Sequence, residues 1–156
     1  MSPTAPGEQV VYELSVERTI HASPERVYKV WTESLAEWWC PAPWSVADAL
    51  IDLRAGGQFE ITMCGPGGEQ EDLAGVFLEV IPNQLIVFTN AFLVGWIPQT
   101  PFMVGHFEFM TVKSGTLYKA TSRHWDLETQ QKHIDMCFNE GWTTVAKQLA
   151  ALAEAY

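Results

Sequence analysis

The sequence predicts an α+β fold in which a curved antiparallel sheet wraps a long C-terminal helix, and three observations lead there. Segments with apolar residues alternating against polar ones recur from Val10 to His124, separated by glycine- and proline-rich turns. From Asp126 onward the period changes, with Ile134, Phe138, Val145, Leu149 and Leu152 returning at helical spacing. A shorter helical pattern, Val27, Val30, Trp31, Leu35 and Trp38, follows the first alternating segment. One long amphipathic helix against so many strands has to lie along their sheet to bury its stripe.

The first strand is read from Tyr12, Leu14, Val16 and Ile20, which alternate with Glu13, Ser15, Glu17 and Thr19; Arg18 interrupts the apolar phase. Ser23-Pro24 then supplies a helix cap followed by a proline at the first helical position, where its missing N–H is harmless. Pro41 and Pro43 end that region, and two short helices kinked near Ser34 satisfy its pattern. Ala49, Ile51 and Leu53, then Phe59, Ile61 and Met63, form two strands joined at Gly56-Gly57. Gly65-Pro66-Gly67-Gly68 and Pro82-Asn83 mark turns on either side of a strand near Leu73–Ile81, and another strand follows near Leu85–Thr89. The loop from Asn90 to Phe102 holds Phe92, Leu93, Val94, Trp96 and Ile97, an apolar set that reads as a lid folded over a cavity mouth or as packing.

Ser114-Gly115 reads as a two-residue hairpin turn pairing Lys113 with Thr116, which sets Phe109 opposite Ala120, Phe107 opposite Ser122 and Gly105 opposite His124. These residues, with Tyr118, share the concave face; His106, Glu108, Lys119, Thr121 and Arg123 share the wet one. Asp126 caps the last helix. Gly141 lies at the edge of its buried stripe, and its small size is read as close approach to a strand or to Trp31, or as room for a ligand beneath the helix.

Composition bounds the function. A chain of 156 residues forms one domain, expected over residues 10–156, while Met1–Gln9 has the prolines and polar residues of a flexible tail. A net charge of -10 disfavours nucleic acid and anionic membrane surfaces as partners. Cys40, Cys64 and Cys137 are three widely spaced cysteines with no secretory leader ahead of them, so a reduced cytoplasmic location is expected. No apolar run reaches the roughly 20 residues a bilayer span needs, which argues against membrane insertion.

Several motifs converge on a known family. They are Arg18-x-Ile20-x-Ala22-Ser23-Pro24-Glu25-x-Val27-Tyr28, then Trp38-Trp39, then Asp52-x-Arg54-x-Gly56-Gly57-x-Phe59. Gly75-x-Phe77-x-Glu79-Val80-x-Pro82, Leu85 and Glu140-Gly141-Trp142 complete the set. In this order they resemble the SRPBCC or START-like superfamily (Bet v 1-like, helix-grip fold), and within it the activator of heat-shock protein 90 ATPase homologue-like family. The resemblance implies a scaffold shared by lipid carriers, polyketide cyclases and aromatases, hormone receptors and chaperone activators, so it does not by itself choose a function.

The expected site is a cavity between sheet and C-terminal helix, holding a small hydrophobic or aromatic molecule. Its expected lining is Trp38, Trp39, Phe59, Ile61, Phe107, Phe109, Tyr118 and Phe138, with Trp142 and the polar Ser122 and His124. Tyr118, Ser122 and His124 also permit a cyclase-like enzyme, and the family name permits a chaperone partner; a homodimer through the apolar loop is a further possibility. Arg18 reads as a ligand anchor or as the ion-pair partner of Asp52. His133 and Cys137, four apart on a helix, lack a third ligand, so no metal is expected, nor any other cofactor. No nucleophile elbow or phosphate-binding loop is present, and no catalytic residue is assigned.

Overall fold

The structure, a computed structural model, describes residues 10–155. The expected tail Met1–Gln9 lies outside the described residues. In chain order the elements are strand β1 (Tyr12–Ile20), helices α1 (Pro24–Glu33) and α2 (Leu35–Trp38), and strands β2 (Ser45–Ile51), β3 (Gln58–Cys64), β4 (Gln70–Ile81) and β5 (Leu85–Thr89). Two-residue strands β6 (Phe92–Leu93) and β7 (Ile97–Pro98) follow, then β8 (Met103–Val112), β9 (Gly115–His124), and helices α3 (Leu127–Asp135) and α4 (Phe138–Glu154). Seven strands form one antiparallel sheet in the order β1-β9-β8-β5-β4-β3-β2. With α4 resting on β1, α1 and α2, this is the expected helix-grip arrangement.

Helix α1 starts where the sequence places it. Ser23 Oγ accepts from the Arg26 N–H at 3.2 Å, and the chain kinks at Ser34 into α2. Its buried face carries Trp31, whose ring lies 5.1 Å from Phe107, 5.4 Å from Trp38, 6.0 Å from Trp39 and 6.3 Å from Phe59. Across the sheet, Phe59 and Phe88 stack at 4.7 Å, Phe88 and Phe107 at 5.9 Å, and Phe107 reaches Trp142 on α4 at 5.9 Å. Such rings contribute about 0.5–1.5 kcal/mol per pair beyond their buried area. Gly105 makes room for this row: a Cβ there would stand 2.4 Å from the Phe88 ring, which is held between Phe59 and Phe107.

The last hairpin departs from the expected register. Val112 pairs with Gly115 and Phe109 with Tyr118, so the turn is Lys113-Ser114 and each residue meets a partner two positions from the expected one. Gly115 opens β9 at φ 140, with a would-be Cβ 2.4 Å from the Ile20 carbonyl, which explains its choice of position. A slip of two preserves the side-chain period, so Phe107, Phe109, Tyr118, Ala120, Ser122 and His124 still share the inner face. Thr121 is buried although it faces outward, because Ser15 and His106 flank it on the neighbouring strands.

The expected single C-terminal helix is two. Asp126 caps α3, accepting the Thr129 N–H at 2.8 Å, but the chain breaks at Met136-Cys137, where Cys137 sits in the left-handed region at φ 63. The break resets the helical phase. Ile134, placed on the buried stripe by its spacing, is therefore exposed, and His133 takes the inward position.

Gln148 fixes α4 against the segment after α2. Its Nε2 donates to the Trp38 carbonyl at 2.9 Å and the Cys40 carbonyl at 2.8 Å, while its Oε1 accepts from the Ala42 N–H at 3.2 Å. Gln148→Ala leaves the half-buried Trp38 and Cys40 carbonyls unpaired and is expected to destabilise the fold by about 2 kcal/mol. The readout is a lower urea midpoint with an unchanged slope.

Candidate functional site

The two halves of α4 pack differently. In its C-terminal half Ala146, Leu149, Ala150 and Ala153 are buried, and the three alanines let the helix lie close. In its N-terminal half Phe138, Gly141, Trp142 and Val145 face a hollow of about 400 Å³. A Cβ on Gly141 would meet nothing within 4 Å, so of the two readings of this glycine the close approach fails and the open space stands. The mouth lies between Glu71 and Asp72 on β4 and the α3–α4 turn at Met136-Cys137, all exposed residues on the cavity rim.

Of the residues expected from sequence, Trp38, Trp39, Phe107, Tyr118, Phe138 and Trp142 line the hollow. The others do not. Phe59 and Ile61 are consumed by the core, Phe59 being enclosed by Trp31, Trp39, Phe77 and Phe88. Phe109 turns to Tyr28 and Tyr118, at 5.5 and 5.6 Å. Ser122 and His124 are buried behind the wall, in contact with the lining residues Met103, Phe102 and His133, the last of which the sequence offers only as half of a metal pair. Phe102, Met103 and Phe88 also line the hollow. Inward alternation on β5 and β8 could have found Phe88 and Met103. The reset phase after Asp126, invisible in spacing alone, hid His133.

His133 is the polar centre of an apolar wall. Its Nδ1 lies 2.8 Å from His124 Nε2 and 3.3 Å from Ser122 Oγ, and Ser122 Oγ lies 3.1 Å from His124 Nε2. His124 Nδ1 in turn lies 3.0 Å from the Tyr12 carbonyl. Rings of Phe102, Phe138 and Trp142 surround the imidazole at 5.0, 4.9 and 5.7 Å. Burial, with the His124 ring adding, lowers His133 to about pKa 4. His124 is lowered too, by burial, the bond to the Tyr12 carbonyl offsetting part of it. Both are neutral at pH 7.

Tyr118 stands apart from this cluster, its phenol raised far above the ordinary range by complete burial, with the nearby Trp31 indole opposing the shift in part. The Cys40 thiol is pushed up to about 11, chiefly by burial, with Cys64 and Glu71 adding, which leaves it unreactive as a nucleophile at neutral pH. Arg18 pairs with Tyr118 across β1–β9 and so shares the inner face with it, but it does not line the cavity, and its Nε is buried without a partner among the described residues. The expected Arg18–Asp52 pair does not form: β1 and β2 are the two edge strands of the sheet, and Asp52 pairs with Arg54 at 2.6 Å. Cys137 ends up exposed at the helix junction while His133 points inward, and among the described residues no three His, Cys, Asp or Glu side chains converge on a metal position. The apolar loop is not the expected lid. Asn90 and Phe102 at its base touch the cavity, but the β6–β7 hairpin leans on the β2–β3 turn, with Trp96 3.1 Å from where a Gly56 Cβ would sit.

The family model described as Activator of Hsp90 ATPase homolog 1-like protein matches residues 21–154. A crystal structure of a Nitrosomonas europaea protein is 33% identical, covering 91% of this chain and 94% of its own, with a TM-score of 0.87. A Chromobacterium violaceum protein at 23% identity covers 92% and 99%, with a TM-score of 0.75, and an Aeromonas hydrophila AHSA1-like protein at 19% identity covers 92% and 92%, with 0.69; these two share the fold. No curated protein matches the chain. No helix among the described residues is long and apolar enough to cross a membrane.

The lowered histidines make stability depend on acid. The unfolded chain binds a proton at His133 near the ordinary 6.5, the folded chain only near 4, so unfolding takes up protons between those values and stability falls as pH drops through that window. His124 and His106, also lowered chiefly by burial, act in the same direction. Thermal midpoints measured from pH 7 to pH 4 are expected to fall, and to fall less steeply in His133→Gln.

Proposed function

The chain belongs to the Activator of Hsp90 ATPase homolog 1-like family, and we propose that within it this protein binds a small apolar, preferably aromatic molecule between its sheet and the N-terminal half of α4. The observation carrying this reading is the hollow of about 400 Å³ beside Gly141, walled by Trp38, Trp39, Phe107, Phe138 and Trp142. Its size falls at the lower end of the ~300–1,000 Å³ typical of ligand pockets, which favours a compact ring system over a long acyl chain. Aromatic walls offer a flat guest stacking and edge contacts in addition to its transfer from water.

This reading ranks ahead of the chaperone-activator one, which rests on the family's name alone, whereas the hollow belongs to this chain's own geometry. The cyclase-like reading loses its support because Ser122 and His124 spend their polar atoms on one another, on His133 and on the Tyr12 carbonyl.

Gly141 gives the test. Gly141→Leu starts a side chain in open space, its Cβ having no neighbour within 4 Å, and removes the helix penalty of glycine, about 1 kcal/mol. The variant is expected to be at least as stable as the parent and to lose binding of the neutral probe Nile red, read by its fluorescence and by thermal shift. Equal Nile red binding by both proteins, or by neither, would remove the cavity from consideration.

A further inference from the structure

Donor and acceptor bookkeeping fixes the protons of the two buried histidines. A carbonyl oxygen has no proton to give, so at 3.0 Å from the Tyr12 carbonyl His124 Nδ1 must carry the hydrogen. A neutral imidazole then bears a lone pair on Nε2. That nitrogen is 2.8 Å from His133 Nδ1, and two lone pairs cannot face each other at such a distance, so His133 Nδ1 also carries its hydrogen. Ser122 fits the same pattern: its hydroxyl donates to Met103 Sδ at 3.3 Å, and its Oγ, 3.3 Å from His133 Nδ1, is a longer second acceptor for the hydrogen that His133 gives chiefly to His124. The remaining nitrogen, His133 Nε2, holds a lone pair and has no partner among the described residues. It is not sealed off either, since His133 is a wall residue of the cavity and Nε2 is not among the buried polar atoms without partners.

From this we infer that His133 Nε2 is a hydrogen-bond acceptor presented to the cavity, and that the guest is a neutral aromatic molecule carrying an O–H or N–H donor, such as a phenol or an aromatic alcohol. Anionic guests are disfavoured by the same surroundings. A carboxylate would meet a lone pair inside and Glu71 and Asp72 at the mouth, and no lysine or arginine lines the hollow. The lowered proton affinity of His133 keeps the acceptor in its neutral form at pH 7. This inference rests on the cavity reading and assigns the ligand chemistry of that same site.

The test uses the full chain and three probes of one skeleton: naphthalene, 2-naphthol and 2-naphthoate. Titration calorimetry is expected to give 2-naphthol an affinity at least tenfold above naphthalene, with 2-naphthoate the weakest. His133→Phe keeps an aromatic ring of similar size and is expected to hold naphthalene within about threefold while abolishing the naphthol preference. A readout that needs no variant is ¹⁵N–¹H correlation spectroscopy of the histidine rings in the unaltered protein. It is expected to show His133 protonated on Nδ1 and bare on Nε2, with the Nε2 resonance moving when 2-naphthol is added. Equal affinity for naphthalene and 2-naphthol, preference for the carboxylate, or a hydrogen on His133 Nε2 in the free protein would each overturn this inference and leave the cavity standing. Failure of all three probes to bind would remove the cavity reading, and this one with it.

Discussion

The close contact between the alanine-lined half of α4 and the body of the fold governs the rest of the structure. Ala146, Ala150 and Ala153 bring the helix down, Gln148 ties it to the carbonyls of Trp38 and Cys40, and Glu154 Oε2 accepts the His21 N–H at 2.8 Å near its end. With one half anchored so low, the position of the other half is decided by what stands between it and the concave sheet. Two large rings, Phe138 and Trp142, stand there, packed on each other at 4.5 Å, and a glycine lies between them in sequence. Large residues that hold the helix off and a small one that leaves the space unfilled produce a hollow with firm walls.

The junction at Cys137 is the second half of the same device. A helix continuing straight from Asp126 would have presented Ile134 to the interior, in phase with Phe138. The left-handed residue turns α3 relative to α4, sends Ile134 to solvent and brings His133 inward. A buried imidazole is unfavourable without partners, and β9 supplies them at Ser122 and His124, two positions apart on its inner face. The polar cluster is thus built across elements that neither the strand period nor the helix period relates to one another.

That distinction accounts for what could be read from the residues beforehand. The helix-grip arrangement follows from local signals: the Ser23-Pro24 start, the kink at Ser34, the alternation on β1 and β9, and glycine and proline turns. The inner face of the last hairpin was legible even though its register was displaced, because face depends on parity and a two-residue slip leaves parity intact. Lining residues were separable from core residues only in part. Phe59 and Phe107 have the same period and the same face, and the difference between a ring that fills the core and a ring that borders a hollow is set by the rise of α4 above the sheet. His133 was out of reach for a related reason, since its orientation depends on one backbone residue, Cys137, whose left-handed conformation no side-chain pattern announces.

Contact between the rings of sheet and helix is compatible with the hollow and is what supports it. A void in an unsupported core tends to shrink as neighbours relax into it. Here the row Phe59, Phe88, Phe107 and Trp142 runs unbroken from the sheet to α4, so the helix cannot settle without compressing stacked rings. Trp31 buttresses the row from α1 through its contacts with Phe59 and Phe107. The walls are therefore set by the protein's own packing, and the guest proposed for them would give up its own freedom without having to order the protein around it, the condition under which a small apolar surface yields useful affinity.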